Sequence, residues 1–129
     1  MHVKISFSND KEGYFLVVPF GPIDSDTYMD FNDKMTPLLV KSTKGIILDL
    51  TNVDYISSAG LGVIFTMRKF LKEKSSELLL CNIKPQIRRI FEIVNALPKE
   101  TLFKDAEEAD AYLYRMMNKD NEKDGGKKP

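Results

Sequence analysis

The sequence has a single cysteine and a single histidine among its 129 residues. One cysteine excludes an intramolecular disulfide, and Cys81 lies in an apolar run where a small core residue is expected. His2 is the one histidine, so the sequence lacks the histidine and cysteine clusters that bind metal ions. It also lacks the glycine-rich motif of a phosphate-binding loop. We therefore expect no cofactor and no enzymatic activity of the chain itself.

The formal net charge is zero, because 19 Lys and Arg residues balance 19 Asp and Glu residues. The cations are scattered beside acids along the predicted helices, so no basic stripe exists to bind nucleic acid directly. The amino end has no signal-peptide pattern, and no apolar run reaches membrane-spanning length. These absences predict a cytoplasmic protein with neither membrane insertion nor direct nucleic-acid binding.

The residues that are present predict one α/β domain. A chain of this length with 43% hydrophobic residues supports a single core. β-Rich runs alternate with helical patterns after an initial hairpin, which predicts parallel β-α-β units joined to one antiparallel pair. We expect a mixed four- to five-stranded sheet with about four helices over residues 1–117. Residues 118–129 are polar and charged, and are predicted to be a disordered tail.

Capping residues and prolines indicate where these helices begin, bend and end. Asp24 and Ser25 are candidate N-caps for the first helix, whose apolar spacing extends to Leu39 and which Pro37 is expected to kink. A third helix opens at Pro85, and Asp105 with Glu108 resembles a capping box for the last one. The predicted strands cover residues 3–8, 14–20, 45–50, 78–83 and 101–103.

Two adjacent serines stand where an apolar strand gives way to a helix. Strand residues 45–50 precede Ser57 and Ser58, and a helical pattern covers about 59–74. A hydroxyl at this junction can cap the helix, and a phosphate on it would meet unpaired backbone N–H groups. Loops that follow parallel strands share one edge of a sheet, so we expect Asp24 and Ser58 to be neighbours.

Residues 54–62 resemble the signature of the STAS domain of bacterial anti-sigma factor antagonists. The resemblance covers roughly Lys4 to Met117, and residues 21–24 with Thr27 match a second family element. Ser58 falls on the family's phosphoacceptor. Ser57 stands where many members carry aspartate, and is a rival acceptor.

This resemblance implies a regulatory binding protein. The unphosphorylated chain would bind a serine-kinase anti-sigma factor, phosphorylation of Ser58 by that kinase would break the complex, and a metal-dependent serine phosphatase would restore it. ATP and metal would belong to these partners. A STAS module of another assembly, such as a lipid-transport ATPase or a signalling complex, is the alternative within binding proteins. A serine hydrolase is the alternative from another class, although Ile56 replaces the first glycine of a nucleophile elbow around Ser58.

The helix after Ser58 offers a candidate interface. Leu61 and Phe65 fall on the shoulder of its apolar arc, beside Arg68 and Lys72, and are predicted to be exposed; a wider buried face is the alternative. The arc expected to face the core comprises Val63, Ile64, Met67, Phe70 and Leu71. The residues expected to contact the partner are Asp24, Thr27, Ser57, Ser58, Gly60, Leu61, Phe65 and Arg68.

Overall fold

The computed structural model describes residues 1–8, 12–94 and 102–115. Within these residues five strands form one sheet in the order β1-β2-β3-β4-β5. β1 pairs antiparallel with β2, and the remaining neighbours are parallel. The mixed sheet predicted from the alternating pattern is confirmed. The strands are β1 (His2–Phe7), β2 (Tyr14–Phe20), β3 (Gly45–Asp49), β4 (Glu77–Cys81) and β5 (Leu102–Phe103).

Four helices connect or follow these strands within the described residues. They are α1 (Tyr28–Met35), α2 (Ser58–Glu73), α3 (Pro85–Val94) and α4 (106–115). None of the described helices is long and apolar enough to cross a membrane. As the capping-box pattern predicts, Asp105 Oδ1 accepts a hydrogen bond of 2.9 Å from the Glu108 N–H at the start of α4. The predicted tail at 118–129 lies outside the described residues.

The prediction for the first helix was partly wrong. It expected a kink at Pro37 inside a helix reaching Leu39, but α1 ends at Met35 and a 3-10 turn, Thr36–Leu38, follows. Proline has no N–H for the helical ladder and its ring clashes with the preceding turn, so here it ends the α-helix.

The sheet buries both faces because its side chains alternate between two clusters. The larger cluster lies under α1, α2 and α3, and the smaller lies under α4. Cys81 is buried in the smaller cluster, as predicted, and burial raises the pKa of its thiol to about 12. From the central strands, the larger cluster takes Ile46, Leu48, Leu78 and Leu80, and the smaller takes Ile47, Leu79 and Cys81.

Candidate functional site

The two serines after β3 have different roles at the start of α2. Ser57 is the N-cap residue: its backbone is extended, with φ −83° and ψ 173°, and its Oγ accepts a hydrogen bond of 3.2 Å from the Gly60 N–H. Ser58 is the first helical residue and is exposed. Among the described residues, none forms a hydrogen bond with the Ser58 hydroxyl. The structure therefore commits one hydroxyl to the fold and leaves the other accessible.

Replacing the two serines separately should reveal this difference. We expect Ser57→Ala to lower the free energy of unfolding by about 0.5–2 kcal/mol, because the cap is lost. Ser58→Ala, the matched control, should change it by less than about 0.5 kcal/mol. Denaturant melts of both variants measure these values. A larger loss for Ser58→Ala would contradict the assignment of the cap.

The β2–α1 loop (residues 21–27) is fastened to the β3–α2 loop (residues 50–57). Ile23 forms an isolated parallel bridge with Ile56. The Ile23 N–H donates to the Tyr55 carbonyl at 3.0 Å, and the Ser57 N–H donates to the Ile23 carbonyl at 2.9 Å. Asp24 follows directly in the chain. The parallel pairing predicted for β2 and β3 thus brings the Asp24 loop against the serines.

Gly60 allows this close approach. A Cβ built on Gly60 would lie 2.5 Å from the Ile23 carbonyl oxygen and 2.9 Å from a methyl group of both Ile23 and Ile56. Real Cβ atoms do not approach a backbone oxygen so closely, so the contact requires glycine. Gly60 is buried and acts here as a spacer between α2 and the β2–α1 loop.

Asp24 and Thr27 form a local turn ahead of α1. Asp24 Oδ1 accepts hydrogen bonds from the N–H groups of Asp26 and Thr27, at 2.9 and 3.1 Å. Thr27 Oγ1 donates to the Pro22 carbonyl at 2.7 Å. Asp24 was predicted as an N-cap of α1, but the helix begins at Tyr28 and the N-cap position is Thr27. The carboxylate instead closes an Asx turn, which short polar side chains form readily.

The predicted exposed shoulder of α2 is wrong for Leu61. Leu61 is only 7% exposed and belongs to the larger core cluster. Phe65 is half-buried, and its ring lies 6.4 Å from that of Phe91 on α3. The buried arc of α2 is therefore wide, and Leu61 shares the larger core cluster with side chains of α1, α3 and the sheet. Arg68 is half-buried beside Lys72, ten residues after Ser58 and so about 15 Å along the helix from it.

One residue of the predicted core arc, Phe70, lies at the edge of the core. Phe70 is half-buried, and Lys74 Nζ lies 4.0 Å from its ring centroid in a cation–π contact. Phe70 therefore borders solvent, while Leu61 occupies the interior.

Sequence reasoning missed a groove beside Ser58. This α1–α2 groove has a volume of about 410 Å³. Met29, which is 63% exposed, stands on its α1 side. That exposure is known from the structure alone, so the sequence carried no signal for this groove. Its lining includes Tyr28, Met29 and Asp33 of α1 and Ala59, Gly62 and Thr66 of α2.

The fold and the serine junction identify the class of this protein. The model of the STAS domain family matches residues 9–109, and the chain therefore belongs to the STAS domain family. The resemblance read from residues 54–62 is confirmed.

Two sequence relatives and one solved structure show which members of the family the chain resembles. The chain is 34% identical over 82 residues to BtrV of Bordetella bronchiseptica, which is named as an anti-sigma factor antagonist; the match covers 64% of this chain and 71% of BtrV. It is 30% identical over 83 residues to the anti-sigma-B factor antagonist of Staphylococcus aureus, and this match covers 64% of this chain and 77% of the relative. The phosphorylated form of the Bacillus cell fate determinant SpoIIAA superposes with a TM-score of 0.70 over 87% of this chain and 99% of SpoIIAA. At 16% identity, that likeness shows the shared fold.

Proposed function

We propose that this chain is an anti-sigma factor antagonist controlled by phosphorylation of Ser58. In the unphosphorylated form it binds a serine-kinase anti-sigma factor and so frees the sigma factor. The division of roles between the serines carries this proposal, because Ser57 Oγ is occupied by the Gly60 N–H while Ser58 is exposed and available as an acceptor. The names of the two sequence relatives support the same role.

The transfer step requires only an accessible hydroxyl from this chain. Ser58 Oγ attacks the γ-phosphorus of ATP, the new Oγ–P bond forms, and the bond to the β-phosphate oxygen breaks to release ADP. The hydroxyl proton passes to a base of the kinase. Nucleotide, metal ion and base belong to the partner. The antagonist supplies an acceptor on a rigid helix start, which the Ser57 cap holds in place.

Phosphate on Ser58 would weaken the complex for two reasons. It adds about −1.5 to −2 charge that must lose water when the partner docks. It also places that charge beside the phosphates of the nucleotide in the kinase site, where like charges repel. A metal-dependent serine phosphatase would hydrolyse the ester and restore the binding form. The antagonist thus alternates between two covalent states.

The test uses purified kinases and two serine variants. Every ATP-binding serine-kinase anti-sigma factor encoded in the source genome is titrated with the wild-type chain, with and without prior phosphorylation. We expect one kinase to bind, with affinity falling at least tenfold after modification. Ser58→Ala should remain unmodified by phosphopeptide mapping yet bind within twofold of wild type, because the exposed hydroxyl makes no contact that the fold needs. Ser57→Ala should still be modified.

Two results would contradict the proposal. Label found on Ser57 alone would assign the acceptor to the rival serine. Absence of binding to every kinase would leave the chain as a STAS module of another kind of assembly, in which Ser58 need not be modified.

A further inference from the structure

The packing of the folded chain does not require a glycine at position 62. Gly62 lies in the second turn of α2, and a Cβ built on it meets no atom within 4 Å. Glycine inside a helix is less favourable than alanine, since it loses more conformational freedom on folding. Gly60, two residues earlier, is required by its contact with Ile23, so the two glycines differ in kind. The open space at Gly62 faces the α1–α2 groove.

The groove around Gly62 is lined by apolar side chains and helix backbone, and by the polar side chains of Asn32, Asp33 and Thr66. The Thr66 hydroxyl donates to the Gly62 carbonyl at 2.8 Å, so its proton is already used inside the helix. Met29 presents a large exposed apolar side chain across the groove. Methionine adapts its shape to a partner surface, and a glycine lets a neighbouring chain approach the helix backbone. A close-packed protein segment fits such a surface better than a polar small molecule does.

The charge on the rim indicates what that segment carries. Residues 21–33 contain four aspartates, of which Asp33 lines the groove, and Lys34 follows it in the chain. Asp30 is paired with Lys34 at 2.7 Å and with the amino group of Met1 at 2.6 Å. Asp33, which lines the groove, has no cationic partner among the described residues. A docking segment must therefore bring a positive charge to this rim to be complementary.

We infer that the α1–α2 groove is the docking site for a segment of the kinase anti-sigma factor that inserts an apolar side chain over Gly62 and places an arginine or lysine against Asp33. This assignment rests on the proposed function and names the surface through which the partner is held. Ala59, the residue after Ser58, also lines the groove. The docked segment would thus position the kinase beside its acceptor, and a phosphate at Ser58 would lie at the edge of the buried contact.

Two substitutions with matched controls test the assignment in the full chain. Gly62→Leu fills the groove, and Lys69→Leu places the same side chain two turns further along α2. Asp33→Lys reverses the rim charge, and Glu73→Lys makes the same charge change at the end of α2, outside the groove lining. Each is titrated with the same panel of purified kinases, and its thermal midpoint is recorded. We expect the two groove variants to bind at least tenfold more weakly than wild type, and the controls to bind within twofold.

The readouts separate this assignment from the proposed function. Gly62→Leu should melt no lower than wild type, because its Cβ enters open space. Wild-type affinity should fall with added salt, and Asp33→Lys should flatten that dependence. If wild type binds a kinase and folded Gly62→Leu binds it equally well, the docking assignment is wrong and the phospho-switch stands. If no kinase binds wild type, the proposed function fails and the assignment falls with it.

Discussion

Alanine at Gly60 is expected to destabilise the fold, whereas alanine at Gly62 is expected to stabilise it. Both changes gain up to about 1 kcal/mol of helix propensity. At Gly60 the new methyl would lie 2.5 Å from the Ile23 carbonyl oxygen, and overpacking of this kind costs about 1–3 kcal/mol or more. The oxygen belongs to the backbone and accepts from the Ser57 N–H, so moving it also strains that hydrogen bond. The clash should exceed the gain.

Denaturant melts of the two variants measure this contrast directly. We expect Gly60→Ala to lose about 1–2 kcal/mol and Gly62→Ala to gain up to about 1 kcal/mol, with the slope m unchanged. The same chemical change two residues apart is its own control. Stabilisation by both alanines would mean that the β2–α1 loop yields, and that Gly60 is not needed as a spacer.

Met67→Ala should lower the free energy of unfolding by about 2–5 kcal/mol. Met67 is fully enclosed by the larger core cluster, so truncation leaves a cavity that its neighbours cannot fill. Phe65→Ala should cost less, about 1–3 kcal/mol, because Phe65 lies at the edge of the core, where part of its side chain reaches solvent and its ring packs near that of Phe91. The exposed Lys69→Ala is the control and should stay within about 0.5 kcal/mol.

Equilibrium denaturant melts rank these three variants by their free energy of unfolding. Equal losses for Phe65→Ala and Met67→Ala would show that the contact between α2 and α3 is as tightly packed as the centre of the core. A loss below 0.5 kcal/mol for Phe65→Ala would instead restore the exposed shoulder expected from the helical pattern.

The parts of the fold that depend on local patterns were predictable from the sequence. The hairpin and the Asp105 cap follow from residues close together in the chain, and the parallel pairing follows from the alternation of strand and helix patterns. The burial of Leu61 was not predictable from the sequence, because a helical projection gives the direction of a side chain and not the elements that pack against it. Leu61 is buried because it joins the larger core cluster, to which α1, α3 and the sheet also contribute side chains. The Asp24 turn was missed for a similar reason, since aspartate serves caps and turns alike.

The candidate site was predicted to the level of the serine pair. The sequence placed both hydroxyls at a helix start, but helix boundaries shift by a residue or two, and one residue decides which serine caps. The groove beside them was beyond reach, because its two sides come from α1 and α2, about thirty residues apart in the chain. Only the packing of these helices brings Met29 and Gly62 to the same surface.

The position of Ser58 as the first residue of α2 bears on the lifetime of the phosphorylated molecule. Negative charge at a helix start is favourable by about 0.3–1 kcal/mol, so a phosphoryl group at Ser58 would strengthen the helix that carries it. The modified molecule would therefore resist heat and proteases at least as well as the unmodified one. A cell could mark and unmark the same copies repeatedly without degrading them. Under the proposed switch, the signal would be stored in the covalent state of the protein and not in a loss of folded molecules.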